Sequence, residues 1–335
     1  MRTDARIDFN ETEFFERHRE LLRILLADRT TEKNIIWASE DYSFLGKGRS
    51  FGDQILLEHI TGCNSETIKP RVKKILQLQV DRSRDMAEVF TPSWIVNIQN
   101  NNLDDGWFGK RARRFNTTTE EGWETNYYPI RFPEETGKTW KNYVLSTQLE
   151  VSCGEAPYLT SRYDAVSGTF IPPRRRIGLL DRKLRVVGEN CTSVEEWKQW
   201  AIEAVKSVYG FEWQGDNILL ARENLFLTVL EHFSDKFQED LDVAFMEEIA
   251  LIISWNIWQM DGMKYVIPNT CHEKKGPVSF DLITNEEVFK VYPCEGCAKN
   301  QPKKHNGIYC YIMDWNEKKK VRFVDIIGGK KHAKL

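Results

Sequence analysis

The chain has 335 residues and a formal net charge of −3, from 47 lysines and arginines against 50 aspartates and glutamates. That length suits one large domain or two ordinary ones, and the balanced charge excludes a globally basic nucleic-acid binder, so any such contact must come from a local patch or a partner subunit. No apolar run approaches the roughly 20 residues of a membrane span, and Met1 to Arg6 leads into a charged segment rather than a signal peptide; the expectation is a cytoplasmic protein with no membrane partner.

In chain order, residues 11–29 are predicted as one amphipathic helix, with Phe14, Phe15, Leu21, Leu22, Ile24, Leu25 and Leu26 as its apolar side. A short strand over Asn34–Trp37, a loop over Gly46–Gly52 and helices over 53–60 and 68–80 complete an N-terminal helical cap, residues 1–85. The middle, 86–268, alternates apolar strands with helical spacing, which predicts a mostly parallel α/β sheet. Its strands are expected at Tyr143–Ser152, Tyr209–Trp213 and Asn256–Met260, and its helices at Asn217–His232 and Met246–Ile253. Beyond Pro268 the composition turns to Cys, Gly, Pro and Lys. Gly307–Trp315 and Val321–Ile327 read as paired strands closing a cysteine-rich segment, 269–335, with a basic, frayed end from Gly328.

Four strings carry candidate chemistry. The first is Ala87-Glu88-Val89-Phe90-Thr91-Pro92, where Phe90 offers an apolar wall, Thr91 a hydroxyl and Pro92 a rigid backbone; the plainer alternative is a turn with Pro92 at a helix start. The second is Glu150-Val151-Ser152-Cys153-Gly154-Glu155-Ala156, a strand ending in a small-residue bend that lets backbone N–H groups approach a ligand. Third comes Tyr209-Gly210-Phe211-Glu212-Trp213-Gln214-Gly215-Asp216, leading into Leu220-Ala221-Arg222-Glu223-Asn224-Leu225. An acid ending the second strand can accept from both ribose hydroxyls, or Glu212 only caps the next helix; Trp213 could pack on an adenine ring. The fourth is Asn256-Ile257-Trp258-Gln259-Met260-Asp261-Gly262, where Asp261 is an acceptor for an amino group or a turn residue before glycine.

In this order, over residues 87–262, the strings resemble the cofactor half of N6-adenine DNA methyltransferases of restriction–modification systems, the proteins labelled "restriction endonuclease subunit M". The resemblance implies a Rossmann-like core binding S-adenosylmethionine. It places the methionine end at Phe90, Thr91, Pro92 and Cys153, Gly154, Glu155, Ala156, the ribose at Glu212 beside Trp213, and the adenine amino group at Asp261. It further implies DNA as partner, with room for a second subunit to supply target recognition or catalytic groups. Two departures stand out. The family writes Asp-Pro-x-Cys-Gly-x-Gly where this chain has Glu150-Val151 and Ala156, and 59 positions separate Cys153 from Glu212, about twice a plain βαβ unit. The surplus contains the basic run Arg174–Val187, read as an inserted hairpin or strand that is either a phosphate-contacting patch or a solvated face.

The family's catalytic Asn/Asp-Pro-Pro-Tyr/Phe is absent. Asp314-Trp315, an acid and an aromatic ending an apolar strand, is the nearest substitute. A catalytically inactive, methyltransferase-fold protein that binds DNA or a partner is the alternative.

The seven cysteines are an odd number, which fits reduced thiols better than a disulfide framework. Cys294-Glu295-Gly296-Cys297 has the commonest bite of structural zinc, and Cys271, Cys294, Cys297 and Cys310 would make a four-thiolate site, with His305 or His272 able to replace one ligand. Unligated buried or incidental thiols are the competing reading.

Overall fold

The structure, a computed structural model, describes residues 7, 9–74, 76–85, 88, 91–109, 114–133, 137–281 and 286–327. The N-terminal apolar pattern forms two helices rather than one, α1 (Glu11–Arg17) and α2 (Arg19–Leu26), broken where His18 takes φ −142°. Asn10 caps the first through its side chain, which accepts from Glu13 N at 3.0 Å. Helix α3 (Leu76–Asp85) and helix α4 (Ser93–Phe108) follow, the latter starting directly after Pro92.

The first strand of the central sheet, β1 (Gln148–Val151), is shorter than expected. Residues Trp140–Leu145 are helical instead: Thr139 accepts from Asn142 N at 3.3 Å, and Tyr143 is buried with its hydroxyl donating to Asp104 at 2.8 Å. A cap and a packed ring override strand propensity here. The basic run Arg174–Val187 is likewise no hairpin. It enters helix α5 (Leu179–Asn190), because Leu180, Leu184 and Val187 fall at helical spacing and are all fully buried.

Helix α6 (Val194–Lys206) leads to β2 (Val208–Glu212), then α7 (Gly215–Phe237), α8 (Val243–Asn256) and β3 (Ile257–Gln259). The three strands are parallel in the order β1-β2-β3, with Val151 opposite Phe211 and Glu212 opposite Gln259. Helix α7 is buried along residues 215–233, so it is a core helix rather than an amphipathic one. It begins with a glycine because a Cβ on Gly215 would lie 1.9 Å from the carbonyl oxygen of Ile36, and Gly215 N donates to the Trp37 carbonyl at 3.0 Å. Among the described residues, no helix is long and apolar enough to cross a membrane.

The C-terminal part forms an antiparallel hairpin, β4 (Lys274–Asp281) and β5 (Glu286–Tyr292), a short helix α9 (Glu295–Lys299), a second hairpin, β6 (Tyr311–Asp314) and β7 (Lys319–Arg322), and a final turn of helix, α10 (Phe323–Ile327), where a strand was expected. The pleat of the sheet divides its residues between two cores. Val208 and Ile257 face the large helical core, which includes Leu22 and Leu25 of α2. Tyr209, Phe211 and Trp258 face a second cluster with Ile267, Cys310, Ile312 and Phe323. The sheet is thus sandwiched between the helices and the C-terminal segment.

Candidate functional site

A cleft of about 390 Å³ opens at the carboxyl ends of β1 and β2, the end at which α/β sheets bind ligands. Glu88, Thr91, Glu150, Cys153, Gly154, Glu212 and Trp213 are in its wall. The bend after β1 holds Ser152, Gly154 and Ala156 at φ of 50°, 51° and 61°. Ala156 therefore adopts the left-handed backbone that a glycine would take without strain, at a cost of about 1–2 kcal/mol. The bend turns Gly154 N toward β2, where it donates to Glu212 Oε2 at 2.9 Å. Glu212 Oε1 accepts from Trp213 N at 2.7 Å and, more weakly, from Gln214 N at 3.4 Å. These contacts fix the carboxylate while leaving it acceptor capacity toward the cleft. Trp213 is oriented by a 3.2 Å bond from its Nε1 to the Ala38 carbonyl and by an edge contact with Phe51.

Three carboxyl groups line the cleft and, among the described residues, no lysine, arginine or histidine does, although Arg82 pairs with Glu88 from behind the wall. Burial raises the Glu212 carboxyl above the usual range, against the hydrogen bonds it accepts. Burial also pushes Glu150 up to about 8, with Glu212 nearby adding to it and the Tyr158 and Leu159 N–H groups opposing. Glu88 Oε1 and Asn217 Oδ1 are buried in the cleft wall without a hydrogen-bond partner among the described residues. Its buried acceptors suit a hydroxylated ligand, and the lack of a cation among the described lining residues disfavours a phosphorylated one.

A raised carboxyl means that the folded protein binds the proton more tightly than the unfolded chain. Glu150's contribution to stability is then greatest below about pH 4.3 and is lost as pH rises to about 8. Glu150→Gln is expected to flatten that decline, its amide oxygen accepting from one of the two N–H groups that bond separate carboxylate oxygens in the parent. Denaturant titrations between pH 4 and 9 check this; parallel curves for the two proteins would refute it.

The remaining expected site residues are placed differently. Phe90 lies outside the described residues. Pro92 starts α4 and does not line the cleft. Glu155 and Ala156 are buried beneath the bend; Glu155 accepts from Arg71 N at 2.5 Å and from the Tyr163 hydroxyl at 2.6 Å. Asp261 holds its own turn, accepting from Met263 N at 2.9 Å and Lys264 N at 3.2 Å, and is not in the cleft wall. Asp314 and Trp315 sit beside Thr147, Ser207 and Tyr209, at the amino ends of the strands and so at the opposite edge of the sheet. There Asp314 accepts from Asn316 N and Glu317 N, both at 3.0 Å, and Trp315 Nε1 donates to Asn256 at 2.8 Å.

Three cations of the basic run are internal ties, whereas Arg174 and Arg175 are exposed. Arg176 pairs with Glu231 at 2.5 Å, Arg182 pairs with Asp104, and Lys183 donates to the carbonyls of Val144 and Ser146 and to Ser207, all three cations being buried. Sequence reading passed over Glu88 and Glu150 as binding groups. The available signal was position: each is an acid within a string singled out for its other residues.

A second cluster lies in the C-terminal segment. Cys271, Cys294, Cys297 and His305 place one ligand atom each within 4.8 Å of one another, a set able to hold a metal ion. The fourth member is His305, not Cys310. Cys310 is fully buried in the second core, with its Sγ 3.4 Å from the Gln259 carbonyl, because its strand packs on β3. His272 contributes only backbone groups, both bonded to the Asn306 side chain.

No protein-family model, no curated protein and no solved structure matches the chain.

Proposed function

We propose that the cleft binds S-adenosylmethionine and that the protein is a methyltransferase or methyltransferase-like subunit acting on DNA adenine in a restriction or phage-defence system. The observation that carries this reading is the Gly154–Glu212 bond. It joins a near-bare backbone bend to an acid at the end of the neighbouring parallel strand, in a cleft lined by three carboxyl groups and, among the described residues, no cation. A Rossmann-like core would present those two groups to the methionine and ribose portions of the cofactor. Glu212 would accept from the ribose hydroxyls, Trp213 would flank the adenine, and the acidic wall would favour the positive sulfonium and ammonium groups. The bound cofactor supplies an electrophilic methyl group. The positions of Asp314 and Trp315, away from the cleft, favour a second reading in which the chain binds cofactor and DNA but depends on a partner for catalysis, or does not catalyse.

Calorimetric titration separates these ideas from a nucleotide-binding role. S-adenosylmethionine is expected to bind the parent protein, S-adenosylhomocysteine more weakly because it lacks the sulfonium charge, and ATP or NAD not measurably. Glu212→Ala should weaken binding by about 10-fold to 100-fold, the worth of a hydrogen bond to a charged acceptor. No heat at millimolar S-adenosylmethionine, or preferential binding of ATP, would rule the reading out. A methyl-transfer assay on mixed DNA, with and without neighbouring-gene partners, then tells active enzyme from binding subunit.

A further inference from the structure

We infer that Cys271, Cys294, Cys297 and His305 hold one zinc ion as a closed structural site, clasping the two ends of the β4–β5 hairpin. The ligand spacing carries the argument. The sulfurs of Cys271 and Cys297 are 3.7 Å apart, and His305 Nδ1 lies 3.6, 3.8 and 3.5 Å from the sulfurs of Cys271, Cys294 and Cys297. A tetrahedral zinc with bonds of about 2.3 Å to sulfur and about 2.0 Å to nitrogen separates its ligands by roughly 3.8 Å for sulfur–sulfur and about 3.6 Å for sulfur–nitrogen. Four of the six ligand-to-ligand distances thus already match that tetrahedron, and all six lie within 4.8 Å. A disulfide would need about 2.05 Å between sulfurs, and all of the cysteines are free thiols. Three thiolates and an imidazole select zinc over the hard cations, and four protein ligands leave no open position for substrate.

The surroundings are shaped to the same end. Cys294 precedes α9 and accepts from Asn306 N at 3.3 Å, a backbone N–H that fixes the sulfur and offsets its negative charge when it is ligated. Gly296, between the two cysteines of the pair, is required by the histidine. A Cβ there would lie 2.6 Å from His305 N and 2.8 Å from His305 Nδ1. Asn306 reaches across to both backbone groups of His272, next to Cys271.

The topology says what the ion would do. Cys271 immediately precedes the first hairpin strand and Cys294 follows the second, so one ion pins both ends. The described side chains of the surrounding segment are largely exposed, the situation in which metal binding supplies folding energy. Immediately beyond it, Ile267 N donates to the Ile308 carbonyl at 2.8 Å and Cys310 N to the Tyr265 carbonyl at 3.1 Å, leading into the layer that covers Phe211 and Trp258.

The test uses the full chain. Elemental analysis of purified protein, and of protein reconstituted with zinc and dialysed, is expected to give one zinc per chain. Cobalt-substituted protein should show the intense visible bands of a tetrahedral thiolate site. Gly296→Ala, which changes no ligand, should weaken zinc binding about 10-fold to 100-fold in a chelator competition, as should Cys297→Ser, whose side chain is exposed. Absence of stoichiometric zinc after reconstitution, or an octahedral cobalt spectrum, would overturn the assignment. So would a folded Gly296→Ala variant that binds zinc as tightly as the parent. If that variant does not fold, the cobalt spectrum of the parent protein decides.

Discussion

Replacing Arg222 by methionine is expected to lower the unfolding free energy by about 4 kcal/mol or more, the sum of several buried carbonyls losing their donor at ~1–3 kcal/mol each. Arg222 is completely buried in α7. It donates to the carbonyls of Ile257 at 2.8 Å, Leu25 at 2.5 Å, Ala27 at 3.0 Å and Ser254 at 3.2 Å. One guanidinium thereby satisfies the carboxyl ends of α2 and α8 together with the first residue of β3. Those carbonyls have no intrahelical partner of their own, and burial denies them water. Methionine keeps most of the aliphatic volume, so the loss reports on the polar contacts rather than on a cavity. Lysine should recover only part of the difference, having one nitrogen where arginine has a planar fork. Urea titrations check this through a lower midpoint at an unchanged slope; a shift worth less than about 1 kcal/mol would mean that the carbonyls find other donors.

Arg82→Met is the second large effect, at about 3–5 kcal/mol, the cost of leaving a buried charge cluster without its counter-charge. Arg82 is buried in α3, and its guanidinium meets Glu88 and Gln214, Asp41 at 2.8 Å and Asp216 at 3.0 Å. Asp216, in the first turn of α7, is also held by Lys74 at 2.9 Å and the Tyr42 hydroxyl at 2.7 Å. Burial works against the Asp216 carboxylate, but Arg82 and Lys74 hold it well below the usual range. A depressed carboxyl stabilises the fold above its unfolded value of about 3.9, and that contribution is lost as pH falls below it. The variant should therefore be less stable at neutral pH and lose less on acidification from pH 4 downward. Because Glu88 and Gln214 line the cleft, the S-adenosylmethionine binding proposed above should weaken as their side chains lose the partner that places them. Denaturation at several pH values and one calorimetric titration read out both effects. A variant as stable as the parent at pH 7 would remove the network from the account.

Both arginines bear on the resemblance to adenine methyltransferases. The string around Arg222 and Asn224 was singled out because it follows a candidate ribose acid. In the fold its polar members are internal ties: Asn224 donates to the Glu155 carbonyl and to the Tyr163 hydroxyl, both at 3.1 Å, and so anchors the bend from below. Such a string supports the cleft without touching its contents.

Local pattern was enough to place β2, α7, α8 and β3 within a few residues. Each is a run whose apolar period survives in the fold, with Glu212 at the end of its strand. Local pattern also picked out the small-residue bend at Gly154 and most of the Cys/His cluster. It misplaced what depends on distant partners. Arg176, Arg182 and Lys183 read as solvated or phosphate-binding because their main partners are far away in sequence: Arg176 meets Glu231 and Arg182 meets Asp104. Spacing alone could not rank Cys310 against His305, since both are within loop reach of the Cys294–Cys297 pair. Packing of Cys310 against β3 made that choice. Nor could it show that Asp314 and Trp315 close the far edge of the sheet, which follows from the direction in which β6 crosses it. The chain by itself determined the core run β2, α7, α8 and β3 and which residues could ligate or accept. Only the tertiary structure decided which of those groups share a cleft, because charges and ligands find partners in space at no cost in sequence distance once the core has brought their elements together.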